Sequence, residues 1–220
     1  MKSKDEVSII KEAIVKDIMD GDMYPYTYTV LQFGFFDDYG NRLPSSITNK
    51  YWDKNEVKKT CRHIKNIIRE HFVVEGGIYF FLERHSPLLD EYGELIREGR
   101  YHINMLISNI KDWCIDEEPN RKLRKLMLEN GSMGVPIKNM TYYDLDELKK
   151  ELINAACRKA DWVNRYQRSV NTQMVYEQCD LDCVIRYCLK DYDGKKLDFV
   201  DVVEFDNSDF ADSPTDRIGV

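Results

Sequence analysis

Long apolar runs are absent from this sequence: the longest, such as residues 78–82, fall far short of the roughly 20 apolar residues that a membrane-spanning helix needs. The charged first six residues do not lead into the apolar stretch of a secretion signal. The sequence also lacks a GxxxxGK[ST] loop, the phosphate-binding motif of P-loop nucleotide-binding proteins. We therefore expect a cytoplasmic protein with no membrane partner.

Paired cysteines are absent too, because none of the six cysteines stands in a CxxC motif. In a cytoplasmic chain such cysteines are expected to be reduced thiols. The last three lie close together in the sequence, but their spacing fits no zinc site. The six are Cys61, Cys114, Cys157, Cys179, Cys183 and Cys188.

Positive charge is in deficit, since the formal net charge is −7, and phosphate contacts supply most of the affinity of proteins for nucleic acids. Residues 198–220 hold seven acids and one base, a net charge of −6, which leaves −1 for residues 1–197. The body of the chain could therefore carry local basic patches. The length of 220 residues suits one domain. We predict a domain over residues 1–197, beginning with a helix, and an acidic tail over residues 198–220.

The periodicity of apolar residues predicts an α+β protein. Helical spacing marks residues 5–19, 54–70, 121–128 and 144–166, and Asp180 is a reasonable N-cap for a last helix that ends near Gly194. Strand-like composition marks residues 24–36, 78–83, 100–108 and 171–177, and residues 86–99 are predicted to be a loop.

Two polar residues, His102 and Asn104, lie two positions apart in the third predicted strand. Because side chains alternate across a strand, both point to one face. A neighbouring antiparallel strand could bring Glu83 or His85 opposite them. A carboxylate, an imidazole and an amide oxygen suit Mg²⁺ or Mn²⁺ better than zinc. The alternative is that His102 and Asn104 form the polar face of a half-exposed strand.

A tyrosine and a lysine, Tyr187 and Lys190, lie three positions apart in the last predicted helix and therefore share a face. A phenol is a poor nucleophile until a cation or a base lowers the cost of its ionised form. Lys190 could supply part of that stabilisation or hold an attacked phosphate. The alternative is an ordinary amphipathic helix with Lys190 in solvent.

Together these segments resemble the HUH endonucleases, especially the single-tyrosine rolling-circle replication initiators of plasmids and phages. The run GRYHINMLI at residues 99–107 is similar to their second motif, and VIRYCLKDYD at residues 184–193 is similar to their third. The strand YTYTVLQF at residues 26–33 is similar to their loosely defined first motif. The resemblance implies a ferredoxin- or RRM-like fold, with a central antiparallel sheet of about five strands and flanking helices.

The resemblance also implies a role for each matching residue. His102 and Asn104 occupy the metal-binding positions, although the family name records a second histidine where this chain has Asn104. Glu83 is the first choice for the third ligand and His85 the second. Tyr187 is the nucleophile and Lys190 the motif lysine. The implied activity is a nick in single-stranded DNA, assisted by Mg²⁺ or Mn²⁺, that leaves a 5′-phosphotyrosine link and a free 3′-hydroxyl.

The implied partners are single-stranded or cruciform origin DNA, a separate helicase and a DNA polymerase; the oligomeric state stays open. Four basic residues in the helical stretch 121–128 are candidates for phosphate contacts, or they form a solvated helix face. A relaxase or a transposase would use the same chemistry, and a non-catalytic DNA-binding or regulatory module is the alternative of a different class. The four basic residues are Arg121, Lys122, Arg124 and Lys125.

Overall fold

A computed structural model of the chain describes seven stretches: residues 4–21, 23–37, 39–97, 99–110, 142–159, 166–190 and 200–204. They form an antiparallel sheet with helices on both faces, so the predicted α+β class is confirmed. The helices are α1 (Lys4–Met19), α2 (Ser45–Thr48), α3 (Lys54–His71), α4 (Tyr142–Lys159) and α5 (Gln178–Cys188). The strands are β1 (Tyr26–Asp37), β2 (Ile78–Arg84), β3 (Leu88–Leu89), β4 (Leu95–Arg97), β5 (Tyr101–Ile107), β6 (Tyr166–Val175) and β7 (Val200–Glu204).

The main sheet has five strands in the order β6-β1-β5-β2-β7, and every neighbouring pair is antiparallel. Strand β5 lies between β1 and β2, so the connection from β1 to β2, which contains α3, crosses over β5. The connection from β5 to β6 contains α4 and places β6 beside β1, at the edge of the sheet opposite β7. Strands β3 and β4 form a separate two-stranded hairpin. None of the helices described is long and apolar enough to cross a membrane.

One face of the sheet packs against α3 and α4. Asp53 begins α3, and its carboxylate accepts hydrogen bonds from the backbone of Asn55 and Glu56, which satisfies N–H groups that the first turn leaves free. Beyond this cap, buried apolar residues recur every three or four positions, as the sequence predicts, and meet alternate residues of the strands. The resulting core includes Val57, Cys61, Ile64, Ile67, Leu148, Leu152, Phe80, Leu82, Ile103 and Met105.

The opposite face of the sheet packs against α1 and α5. The N-terminal helix therefore belongs to the fold, and its predicted apolar residues face α5 and the sheet. Among the described residues, this second core has fewer members than the first. Its members include Val7, Ile10, Ile14, Ile18, Tyr26, Tyr79, Phe81, Leu106, Leu181 and Ile185.

Several predicted boundaries were wrong. Residues 86–99 are not all loop, because the hairpin of β3 and β4 lies within them. Strand β6 begins at Tyr166 rather than at residue 171, since it pairs with β1 over most of that long strand. Glu177, not Asp180, occupies the N-cap position of α5, and this helix ends at Cys188 instead of near Gly194. Residues 121–128 lie outside the described residues.

The predicted limit between domain and tail also differs from the structure. Residues 200–204 form β7 and pair with β2 at the edge of the main sheet. The sheet therefore extends past residue 197, into the stretch that composition marks as an acidic tail.

Candidate active site

The candidate site begins with the pairing of β2 and β5. Their register places Glu83 opposite His102, and Phe81 opposite Asn104. Residues directly opposite each other in an antiparallel pair project from the same face of the sheet. Glu83, His102 and Asn104 therefore share one face of the sheet, as predicted. It is the face against which α1 and α5 pack.

The three polar side chains contact one another. Glu83 Oε2 lies 3.0 Å from His102 Nε2, and Asn104 Nδ2 donates to Glu83 Oε2 at 3.2 Å. Asn104 Nδ2 is also 3.5 Å from His102 Nε2. All three residues are buried, and Asn104 has no exposed surface. The alternative of a half-exposed polar strand is therefore wrong, because β5 is buried along its whole length.

Lys190 joins this cluster to Tyr187. Lys190 follows the end of α5 in a turn whose backbone N–H bonds to the carbonyl of Tyr187 at 3.1 Å. Its Nζ lies 2.7 Å from Glu83 Oε1 and 3.7 Å from the centroid of the Tyr187 ring. Tyr187 itself is 52% exposed. The two residues share a surface as predicted, although a turn rather than a continuing helix brings them together.

The charges of Glu83 and Lys190 stabilise each other. Burial raises the pKa of the Glu83 carboxyl, but hydrogen bonds with His102 and Lys190 outweigh it and lower that pKa to about 2. Burial lowers the pKa of Lys190, and its bonds to Glu83 and Tyr187 outweigh this effect and raise it. Both groups are therefore ionised at neutral pH, so a carboxylate faces the cluster and an ammonium faces the tyrosine ring.

Two further residues beside the polar cluster, Tyr28 and Cys188, were not identified as site residues from the sequence. The Tyr28 hydroxyl on β1 donates to Asn104 Oδ1 at 3.0 Å. Burial, followed by the proximity of Cys188, Tyr187 and Glu83, raises the pKa of Tyr28. The Cys188 thiol is buried beside Tyr28, and burial raises its pKa to about 12. The pairing of β1 with β5 brings Tyr28 to Asn104, and the packing of α5 on the sheet brings Cys188 to Tyr28. The sequence of β1 alone shows neither contact.

His85, the second choice for the third ligand, lies beside His102 with ring centroids 4.6 Å apart. Burial and the neighbouring His102 lower its pKa. The backbone around it is tight, because a Cβ on Gly99 would lie 1.5 Å from the His85 carbonyl oxygen. Glu83, not His85, is the residue that contacts both His102 and Asn104.

Two residues of this cluster carry donor atoms of the kinds that bind small divalent cations, whereas Asn104 presents its NH₂ group to them. Glu83 and His102 supply an anionic oxygen and an imidazole nitrogen that are 3.0 Å apart. That is about the separation of adjacent ligands in an octahedron with ligand distances near 2.1 Å. Within the part of the chain that is described, no group of three His, Cys, Asp or Glu residues could hold a metal. A site here would therefore need the amide oxygen of Asn104 as well.

The predicted phosphate-binding residues Arg121, Lys122, Arg124 and Lys125 lie outside the described residues. Comparisons of the chain with protein-family models, with curated proteins and with solved structures found no match. The interpretation of the site therefore depends on its own geometry and on the sequence motifs.

Proposed function

We propose that this protein is a metal-dependent DNA endonuclease and strand transferase of the HUH type. Its substrate would be single-stranded origin DNA, and its role the initiation of rolling-circle replication. One observation carries the proposal: residues from three distant segments meet on one face of the sheet. Glu83, the pair His102 and Asn104, and the pair Tyr187 and Lys190 are the residues that the two sequence motifs and the strand before them predict.

The topology supports the same proposal. The chain runs through β1, α3, β2, β5, α4 and β6, and these strands stand in the order β6-β1-β5-β2. The element order β-α-β-β-α-β agrees with the ferredoxin-like motif that the resemblance to HUH endonucleases implies, and this agreement supports the proposal. Helix α5, which carries the proposed nucleophile, packs on the face on which the polar cluster lies.

In the proposed reaction, the Tyr187 oxygen attacks a phosphorus atom of the DNA backbone. A bond forms from that oxygen to phosphorus, the bond from phosphorus to the 3′-oxygen breaks, and the leaving oxygen takes up a proton to become a 3′-hydroxyl. The phenolic proton passes to solvent, which the 52% exposure of Tyr187 permits. Attack by the 3′-hydroxyl on the phosphotyrosine reverses the reaction and rejoins the strand without ATP.

The other residues assist this attack. Lys190 stands against the Tyr187 ring, where its charge stabilises the phenolate or the attacked phosphate. Glu83 holds Lys190 in that position through their ion pair. A Mg²⁺ or Mn²⁺ ion bound by Glu83, His102 and Asn104 would polarise the scissile phosphate and offset its developing charge.

A covalent adduct provides the test. A pool of random-sequence single-stranded oligonucleotides, labelled at the 3′ end, is incubated with the protein and Mn²⁺ and resolved under denaturing conditions. We expect a labelled protein band that EDTA abolishes and that Tyr187→Phe lacks. Tyr92→Phe is the matched control, because Tyr92 is 82% exposed in the turn between β3 and β4.

Each contrary result has a definite meaning. DNA that is retarded in a native gel but never linked to the protein would favour a non-catalytic DNA-binding module. An adduct that persists in Tyr187→Phe would remove Tyr187 as the nucleophile. An adduct with plasmid transfer-origin or transposon-end DNA, and none with replication-origin DNA, would favour a relaxase or a transposase.

A further inference from the structure

Helix α3 carries a concentration of positive charge that the proposed nicking site does not use. Residues 54–71 hold six lysines and arginines and two glutamates, a net charge of +4. Because the whole chain has a net charge of −7, the other residues together carry −11. A helix that packs on a sheet needs polar residues on its outer face, but it does not need them to be of one sign.

The charges on α3 are also sorted by sign around the helix axis. An α-helix advances about 100° per residue, so residues 54, 58, 62 and 69 lie within an arc of about 80°. They form a basic stripe, about 22 Å long, along one side of the outer face. Glu56 and Glu70 lie outside this arc, on the other side of the outer face. The basic stripe consists of Lys54, Lys58, Arg62 and Arg69.

The two arginines of the basic stripe are available to a partner. Arg62 and Arg69 are exposed, and neither guanidinium has an acidic partner among the described residues. Lys54 and Lys58 are partly exposed, on the side of the stripe that is nearer the core. Lys65 lies on the same side of the helix but is buried. Arg62 and Arg69 are therefore the two members that a test must remove.

The form of the basic stripe indicates the class of partner. A line of cations suits the backbone of double-helical DNA, which carries one phosphate per about 3.4 Å on each strand. Single-stranded DNA, in contrast, is bound by cations together with aromatic side chains on which its bases stack. Helix α3 contains no Phe, Tyr or Trp. Contacts of this kind reach phosphates and not bases, so they carry no sequence information directly.

We propose that the basic stripe of α3 binds the backbone of duplex DNA. Helix α3 packs on one face of the sheet, whereas the polar cluster and α5 lie on the opposite face. A duplex on α3 would therefore leave the proposed nicking site open. The proposed function gives this surface a use, because a strand that is nicked at an origin is continuous with duplex DNA. The inference goes beyond that function and depends on the charges of α3 alone.

The test measures binding of a fluorescently labelled, random-sequence DNA duplex to the full chain, in EDTA and at several salt concentrations. We expect Arg62→Gln/Arg69→Gln to bind the duplex about 10-fold or more weakly than the unmodified chain at low salt. The slope of log affinity against log salt concentration changes by about 0.9 per phosphate contact, so it should become shallower by about two. Both side chains are exposed, so the fold should be kept, which urea unfolding checks.

Two further variants separate local contacts from net charge. Lys11→Gln/Lys16→Gln removes the same charge from α1, on the other face of the sheet, and should leave duplex binding close to that of the unmodified chain. Arg62→Lys/Arg69→Lys keeps the charge of the basic stripe and should retain the salt slope. An equal loss of duplex binding in the α1 variant would mean that only the total charge matters and would overturn the inference.

The remaining outcomes are also decisive. The inference is overturned if the unmodified chain binds no duplex, if Arg62→Gln/Arg69→Gln binds it as tightly as the unmodified chain, or if that variant loses affinity for single strands to the same extent. Duplex binding that depends on the two arginines supports the inference even without a DNA adduct, in which case the proposed function alone fails. An adduct with short single strands but no duplex binding would overturn the inference and leave the proposed function intact.

Discussion

The carboxylate of Glu83 and the ammonium of Lys190 form an ion pair of 2.7 Å between the end of β2 and the turn that follows α5. Both side chains are shielded in part from solvent, and Glu83 is bonded at the same time to His102. This pair ties the turn that follows the tyrosine-bearing helix to the polar cluster on the sheet.

Replacement of Lys190 tests the cation beside the tyrosine. Lys190→Met removes the charge next to Tyr187 and leaves the buried Glu83 carboxylate without its cationic partner. We expect the rate of adduct formation to fall by about 100-fold or more, as for other charge-stabilising groups in active sites. Lys190→Arg keeps the charge and should retain part of the activity. Single-turnover assays with Mn²⁺ measure both variants, and equal rates for Lys190→Met and Lys190→Arg would contradict the role of the charge.

The lowered pKa of Glu83 predicts that the free energy of unfolding of the chain depends on pH. The carboxyl pKa of Glu83 is lowered from 4.5 to about 2 in the folded chain, so the folded state favours the ionised form. The resulting stabilisation is complete above pH 4.5 and is lost as the pH falls from there toward 2; it is on the order of 3 kcal/mol. Glu83→Gln cannot ionise and should lack this contribution.

Urea unfolding in EDTA measures the difference in free energy of unfolding between the unmodified chain and Glu83→Gln. The unmodified chain should be more stable than Glu83→Gln at pH 6, and the advantage should shrink steadily toward pH 2. A difference that stays constant between pH 6 and pH 2 would show that Glu83 does not titrate as the ion pair requires.

The close approach of two backbone segments next to the site requires glycine at position 99. A Cβ at Gly99 would meet the His85 carbonyl oxygen at 1.5 Å, so Gly99→Ala must separate the ends of β2 and β5. We expect Gly99→Ala to lower the unfolding midpoint and to reduce adduct formation. Gly93→Ala is the control: Gly93 has φ +83° but open space around it, so the substitution should cost about 1–2 kcal/mol and leave the site intact. Similar adduct formation by the two variants would contradict this close approach.

The contact between α1 and α5 predicts which interactions hold the tyrosine-bearing helix. Arg186 forms an ion pair with Glu12 at 2.7 Å, but both side chains are about half-exposed, and such pairs contribute little. Ile185, in contrast, is fully buried against the second core. We expect Ile185→Ala to cost about 2–5 kcal/mol in thermal or chemical unfolding and Glu12→Gln to have a small effect. A large effect of Glu12→Gln would mean that the exposed pair orders α5.

The secondary structure was predictable where one local pattern dominates. Helix α3 has a capping Asp53 and apolar residues at helical spacing, and its predicted range, 54–70, differs from Lys54–His71 by one residue. Strand β5 likewise agrees closely with its predicted range. The limits of β6 and α5 were wrong because pairing with β1 and the turn at Lys190 outweigh local composition. The short hairpin of β3 and β4 has too few residues for a clear pattern.

The candidate site was predictable in its residues and not in its arrangement. Motif spacing singled out His102, Asn104, Tyr187 and Lys190, and the strand before them contributed Glu83. Spacing along one strand could not choose between Glu83 and His85, because that choice depends on the register of β2 against β5. Tyr28 was missed because its only signal is the pairing of β1 with β5.

By itself, the sequence determined most of the long helices and strands. It also determined which side chains can carry charge, ligate a cation or act as a nucleophile. These properties follow from local periodicity and from the chemistry of single residues. The tertiary structure alone decided that Glu83 meets Lys190, that Asn104 is buried and that the Tyr28 hydroxyl donates to the Asn104 amide oxygen. Those relationships join residues far apart in the chain, and only the strand register and the packing of α5 on the sheet bring them within hydrogen-bonding distance.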